Sequence, residues 1–407
     1  MRAPSPTSAR RADGEASEVL AELDAFVAST VAPLEAAHAE LLADPRRRYA
    51  PSGVLSPAVV ALRREVRVAA ADAGLYQLAV PAELGGRGAP ASLQFAVFEH
   101  LHASCGPDRL LPYDAVGHFT SGPGGALGAL SDEVRETVWP EILSGRSLLC
   151  FALSEPEGAP ETTALERDGD FVLNGTKCWV SRGGYADYAL VYARTGDGPP
   201  DTRATSAFLV PLAARGVAVG PASRLFGRVG GEEVTLALRD VRVPRSHLVG
   251  ALHGGATLAA SGAPAATMHA AGRFVGLARF ALERALRELA DRPVARRDSE
   301  ALLADAAIDW HGVRQMALDC AERLESGADA TFEMAAVRLA APAMCSRVHE
   351  RVAEILGGDG LRNEERLFDG WHQSRTVLAA AGSDRSLRGA LVASLLARRG
   401  EGASTDR

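Results

Sequence analysis

The sequence is sparing with cysteine, aromatics and long apolar runs. Its five cysteines, Cys105, Cys150, Cys178, Cys320 and Cys345, form no CxxC pair. That excludes thiol-redox and zinc-ribbon spacings, and no His/Cys cluster has metal-ligand spacing. Scattered thiols in apolar or helical surroundings read as reduced residues of a cytoplasmic protein. No apolar run approaches the roughly 20 residues that a bilayer span needs. Positive charge is not in excess: Lys and Arg total 44 against 51 Asp and Glu, for a net charge of −7. With no basic stripe either, a nucleic-acid surface is excluded. The opening MRAPSPTSARRADGEASE is Arg- and Ser-rich, but Asp13, Glu15 and Glu18 argue against a transit peptide. Residues 1–15 read as a disordered tail.

What is present is a soluble, globular composition, 47% hydrophobic and 23% charged over 407 residues. That length can bury cores in two or three domains. Helical periodicity runs from Ser17 to about Leu42, with Leu20, Leu23, Phe26, Val27 and Val31 on one face. A second helix runs from Pro57 to Ala73 and stops at Gly74. The loop AGLYQLAVPAELGGRG follows, then helical texture over Leu93–Ser104 and a short helix over Ser131–Leu143. These make an α-helical domain over residues 16–146.

The texture changes at Ser147. Up to about Gly250 the runs are short, rich in Val, Leu, Phe and Tyr, and separated by turn signals such as Asp168-Gly169-Asp170 and Asn174-Gly175. Phe171-Val172-Leu173 and Cys178-Trp179-Val180 flank the Asn-Gly pair, which predicts a hairpin there. Further strands are expected at Ala189–Ala193, Ala207–Leu212, Val217–Gly220 and Val234–Leu238. Residues 147–250 thus read as a small antiparallel β-barrel or sandwich. Residues 251–407 return to helix, over Ala265–Ala290, Glu300–Glu325 (with Ser299 as N-cap), Thr331–Leu356 and Asp384–Arg399. The fold class is α+β, in the order helical domain, β domain, helical bundle.

Several stretches together resemble the acyl-CoA dehydrogenase family over nearly the whole chain. They are AGLYQLAVPAELGGRG, SDEVRETVWPEILSGR leading into CFALSEP, RDGDFVLNGTKCWVSRGGYADYALVYART, EEVTLALRDVRVPRSHLVG, AAGRFVGLARFALERAL and EILGGDGLRNEE. The resemblance implies an α-helical domain, a β domain and a C-terminal four-helix bundle, with FAD as cofactor. It assigns the stretch Phe151, Ala152, Leu153 and Ser154 to flavin contact. Trp179 matches an aromatic that packs on the ring system, and Ser181 a hydroxyl near flavin N5. Arg292 falls where the family places an arginine reaching a neighbouring subunit's FAD, although the Phe-Gly expected after it is Val294-Ala295-Arg296 here. Gly357 and Gly358 match a Gly-rich loop that approaches the same cofactor. A homodimer or homotetramer is therefore implied.

The sequence departs from the family where the chemistry is done. α,β-Dehydrogenation of an acyl thioester needs a base for the α-proton, worth about 10²–10⁴ in rate. The family's usual glutamate, just before a Gly-Thr or Gly-Ser pair, is Ala381 before Gly382-Ser383. An alternative family position, on the first bundle helix, is Ala266 in APAATMHAAG, which has no carboxylate. His269 is the nearest replacement candidate; His372 and Asp384 are others. The segment between Pro156 and Gly169 is also shorter than in the family. Three functions stay open: an FAD oxidoreductase on an acyl thioester (coenzyme A or carrier-protein bound) with a displaced base, a flavin monooxygenase on the same fold, and a non-catalytic acyl- or flavin-binding relative. No motif specifies the electron acceptor or flavin reductase.

Overall fold

The computed structural model describes the chain except residues 1–5, 118–122, 158–160, 197–203, 225–229, 231, 291–292, 363–365, 381–383 and 405–407. It begins with helix α1, Pro6–Phe26. The expected disordered tail over residues 1–15 is thus helical from Pro6: the run is rich in Ala, Arg and Glu, and its proline sits at the first turn, where a missing N–H costs nothing. Helix α2, Pro57–Asp72, turns Val59, Leu62, Val66 and Ala70 inward at helical spacing. Gly74 stops it at φ +73°. Helix α3 spans Ala91–Cys105. Two short helices, Asp132–Thr137 and Trp139–Leu143, replace the single one expected there. Pro140 removes an N–H at that junction, and Ser131 caps the first of them by accepting the Val134 N–H at 3.3 Å.

Among the described residues an eight-stranded sheet follows, ordered β6-β7-β3-β2-β4-β5-β8, with β1 also on β4. Its strands are β1 (Leu149–Ala152), β2 (Thr163–Arg167), β3 (Asp170–Ser181), β4 (Tyr188–Arg194), β5 (Thr205–Pro211), β6 (Val217–Val219), β7 (Glu233–Val243) and β8 (Leu248–Val249). Most pairings are antiparallel, but β1 and β2 both join β4 in parallel.

The hairpin is not at Asn174-Gly175. It lies at Asp168-Gly169, whose φ values of 53° and 86° suit a tight two-residue turn between Arg167 and Asp170. Asn174-Gly175 lies inside β3 instead, opposite a bulge in β7: from Leu173 opposite Val241 to Gly175 opposite Leu238, β3 advances two residues and β7 three. Two bonds hold it: Asn174 Nδ2 donates to Asp240 Oδ1 at 3.1 Å, and the Asp240 N–H donates to Asn174 Oδ1 at 2.8 Å. A Cβ on Gly175 would stand 2.5 Å from Thr162 Cα, so glycine is required by close approach as well as by its φ of +148°.

The C-terminal region contains α4 (Ala263–Ala290), α5 (Pro293–Glu325), α6 (Thr331–Leu356), α7 (Leu367–Ala380) and α8 (Asp384–Ser404). Ser299 lies within α5 and is not its cap, because Pro293 starts the helix earlier. Phe274, Leu277, Ala281, Met344 and Val348 share the bundle's buried core. Each large side chain contributes about 1.5–3 kcal/mol on burial. The bundle also packs closely on the N-terminal region: a Cβ on Gly276 of α4 would meet the Glu99 carbonyl of α3 at 2.3 Å.

A buried polar junction joins the N-terminal helices to the sheet. Arg63 donates to both Asp114 oxygens, at 2.5 and 3.0 Å, and to the Gly230 carbonyl at 3.1 Å. It also donates to the Tyr185 hydroxyl at 2.5 Å, just beyond the end of β3.

Candidate functional site

The sequence on either side of the sheet's bulges builds one exposed wall. Beyond β1, the Ser154 carbonyl accepts the Cys178 N–H of β3 at 2.9 Å. That bond sets Ser154 beside Cys178, the residue before Trp179. Leu153 is 43% exposed and Trp179 53% exposed. Trp179 sits where the β3–β7 register slips between Lys177 and Val180, with φ at +56°. A bulky residue in left-handed backbone costs about 1–3 kcal/mol and persists only where the surroundings impose it. Ser181 is half-buried and donates its hydroxyl to Glu233 Oε1 at 2.6 Å. Phe151 is partly buried. Its ring meets Tyr192 edge-on at 5.2 Å, against the N-terminal helical core.

The wall is braced from behind by Lys177, whose side chain is buried. Its Nζ donates to Glu155 Oε1 at 2.7 Å and to the Leu153 carbonyl at 3.1 Å. The Thr162 N–H donates to the same Glu155 oxygen at 2.9 Å. Burial alone would raise the Glu155 carboxyl, but the hydrogen bonds from Lys177 and Thr162 outweigh it and leave it below the usual carboxylate range. Burial pushes the Lys177 ammonium down, and Glu155 offsets only part of that. Periodicity did not single out this pair. The available signal was parity: Lys177 shares its inward face with Phe171 and Leu173, a position where a charge requires a partner.

A cavity of about 200 Å³ lies between the loop at Ala79–Pro81, the start of α3 and the start of α4. Val80, Gln94, Leu127, Pro264, Ala265 and Met268 line it with a few small residues, and among the described residues no lining side chain is titratable. The turn Pro123–Ala129, which supplies Leu127, also packs on β1. The alternative base position, Ala266, adjoins Ala265 on this rim. His269 is not among the lining residues; its ring packs edge-on against Phe98 at 4.3 Å.

Gly357, at φ +58°, ends α6, and it and Gly358 are exposed with open space where a Cβ would be. Arg292 and Ala381 lie outside the described residues. Among those described, no group of acidic, His and Cys residues could hold a metal, and no helix is long and apolar enough to cross a membrane.

Residues 150–241 match the acyl-CoA dehydrogenase middle domain, and residues 253–396 match the acyl-CoA dehydrogenase C-terminal domain. Together these span more than half of the chain, which belongs to the acyl-CoA dehydrogenase family. Cyclohexane-1-carbonyl-CoA dehydrogenase of Geobacter metallireducens is 28% identical over 339 residues, covering 79% of this chain and 87% of that one. The caffeyl-CoA reductase-Etf complex subunit CarC of Acetobacterium woodii is 25% identical over 309 residues, covering 72% and 80%. The solved FAD complex of PigA superposes with a TM-score of 0.80 at 17% identity, covering 94% of this chain and 98% of that one, a likeness of fold.

Proposed function

We propose that this chain is an FAD-dependent oxidoreductase that acts on an acyl thioester, carried by coenzyme A or a carrier protein. The observation that carries the reading is the strained, outward-facing Trp179 beside Leu153, Ser154 and Ser181. An isoalloxazine needs a flat apolar wall with a few polar groups at its edge, and this wall has both. Leu153 and Trp179 would cover the ring system, and the Ser154 and Ser181 hydroxyls would meet its polar edge. Glu233 accepts the Ser181 hydroxyl, which leaves the Ser181 oxygen as an acceptor. FAD, when bound, supplies the two-electron acceptor.

The apolar cavity beside α4 would hold the acyl tail. Removal of the α-proton falls to a displaced base, since the usual position is Ala381 and no described lining residue is titratable. That same base-free lining favours a second reading, a flavin monooxygenase, which needs no α-proton base. The half-exposed Val392, Leu395 and Leu396 on α8 support a homo-oligomer, dimer or tetramer, by leaving apolar surface for a second copy.

The test is anaerobic addition of acyl-CoA and acyl-carrier thioesters to the FAD-loaded protein while the flavin absorbance is followed. Bleaching supports the dehydrogenase reading. No bleaching, with oxygen consumed after chemical or reductase-supplied reduction, supports the monooxygenase. Tight thioester binding with neither response marks a non-catalytic relative.

A further inference from the structure

We infer that Glu233 is a positioning residue that fixes Ser181 as an acceptor for the N5–H of reduced FAD, leaving oxidised N5 without a donor there. This rests on the flavin-wall reading above, in which Ser181 meets the polar edge of the ring. Ser181 and Glu233 stand directly opposite each other on β3 and β7, so their side chains share one face of the sheet. The hydroxyl donates to Glu233 Oε1 at 2.6 Å, the length of a charge-assisted bond. Such a bond is about twice as strong as one between neutral groups, and Glu233 is only 6% exposed, so little water competes for it. A neutral ring nitrogen does not draw that proton away.

The pair is held from both strands. Ser223 and Glu233 exchange backbone hydrogen bonds at 2.8 and 3.1 Å, and the Arg182 N–H donates to the Glu232 carbonyl at 3.2 Å. Val180 and Val234, both buried, form the neighbouring cross-strand pair. Turning the carboxylate away from Ser181 would strip a buried acceptor of its donor. The polar edge of an isoalloxazine carries N1, O2, N3–H, O4 and N5. In the oxidised ring only N3–H donates, and reduction adds a hydrogen at N5. A serine that only accepts is thus mismatched to oxidised N5 and matched to reduced N5–H. That bond contributes to a higher midpoint potential, whereas the Glu233 charge acts in the opposite sense.

The test is NMR of the protein loaded with FAD that carries a heavy-nitrogen label at N5, a nucleus that moves upfield when it accepts a hydrogen bond. In wild type the oxidised N5 should resonate downfield of free FAD in water, as a nitrogen without a donor. Glu233→Leu frees the Ser181 proton and should move the resonance upfield, and Ser181→Ala/Glu233→Leu should return it. Ser181→Ala alone removes the acceptor and keeps the Glu233 side chain. The ratio of reduced to oxidised FAD affinity should then fall about two- to tenfold, read as a drop of about 10–30 mV in the two-electron midpoint potential. An oxidised N5 that is already hydrogen-bonded in wild type, or a potential that rises or stays level in Ser181→Ala, overturns the inference and leaves FAD binding standing. The wild-type resonance decides the matter even where a variant fails to fold. Protein that takes up no FAD overturns the flavin-wall reading and the inference with it.

Discussion

Lys177→Met isolates the brace behind the proposed flavin wall. Methionine fills the volume of the lysine stem but cannot donate. The change strips Glu155 Oε1 of its 2.7 Å ammonium partner and the Leu153 carbonyl of its 3.1 Å donor. Breaking a fully buried ion pair costs about 3–5 kcal/mol. The Glu155 side chain is 27% exposed, so water recovers some of its solvation, and the expected loss is about 2–3 kcal/mol. Urea unfolding followed by tryptophan fluorescence measures it. The double variant Lys177→Met/Glu155→Leu should recover at least half of the loss, because no lone carboxylate remains.

The pH dependence has a definite sign. Glu155 titrates lower in the folded chain than in the unfolded one. Its contribution is fully present above the unfolded carboxylate range and is lost as pH falls through the folded value. The stability gap between wild type and Lys177→Met should therefore close in acid. The lowered Lys177 acts at the alkaline end. Between its folded and unfolded values the native state binds fewer protons, so its burial cost eases as pH rises. A change under about 0.5 kcal/mol, of the size of an ordinary surface substitution, together with unaltered FAD retention would refute the brace.

Trp179→Gly should separate function from stability. Glycine relieves the φ of +56°, so the FAD-free protein should unfold at the same or a higher urea concentration. FAD affinity, read by equilibrium dialysis, should fall about two- to tenfold with the lost aromatic contact. Gly175→Ala should cost about 1–3 kcal/mol in urea unfolding, since a Cβ there collides with Thr162 and φ is unfavourable. Arg63→Met should cost about 3–5 kcal/mol in urea unfolding by leaving Asp114 buried without its bidentate partner.

The order of helical and strand regions was legible because periodicity and turn residues agree along most of the chain. Thr331–Leu356 and the α2 stop at Gly74 were both readable in this way. Asn174-Gly175 misled because the same dipeptide can turn a hairpin or sit within a strand opposite a partner's bulge. Contacts distant in sequence, from Thr162 and Asp240, decide between them. Helix α7 was missed because Gly370 and the polar Gln373 and Ser374 interrupt its apolar pattern. Those two side chains are buried and bonded to Pro107 and Ser346, partners that a local pattern does not show. At the site, Trp179 and Ser181 were named through resemblance, whereas their strain and the Glu233 partner needed three-dimensional pairing. The cavity was not legible at all, since it forms where four separate segments meet.

The most direct measurement is FAD binding to the purified apoprotein, followed by quenching of tryptophan fluorescence and by the flavin's visible band. The expected result is one FAD bound per chain, with quenching from Trp179 that disappears in Trp179→Phe while the visible band remains. A protein that stays colourless in excess FAD, or one whose bound FAD leaves Trp179 fluorescence unchanged, would contradict the assignment of this wall.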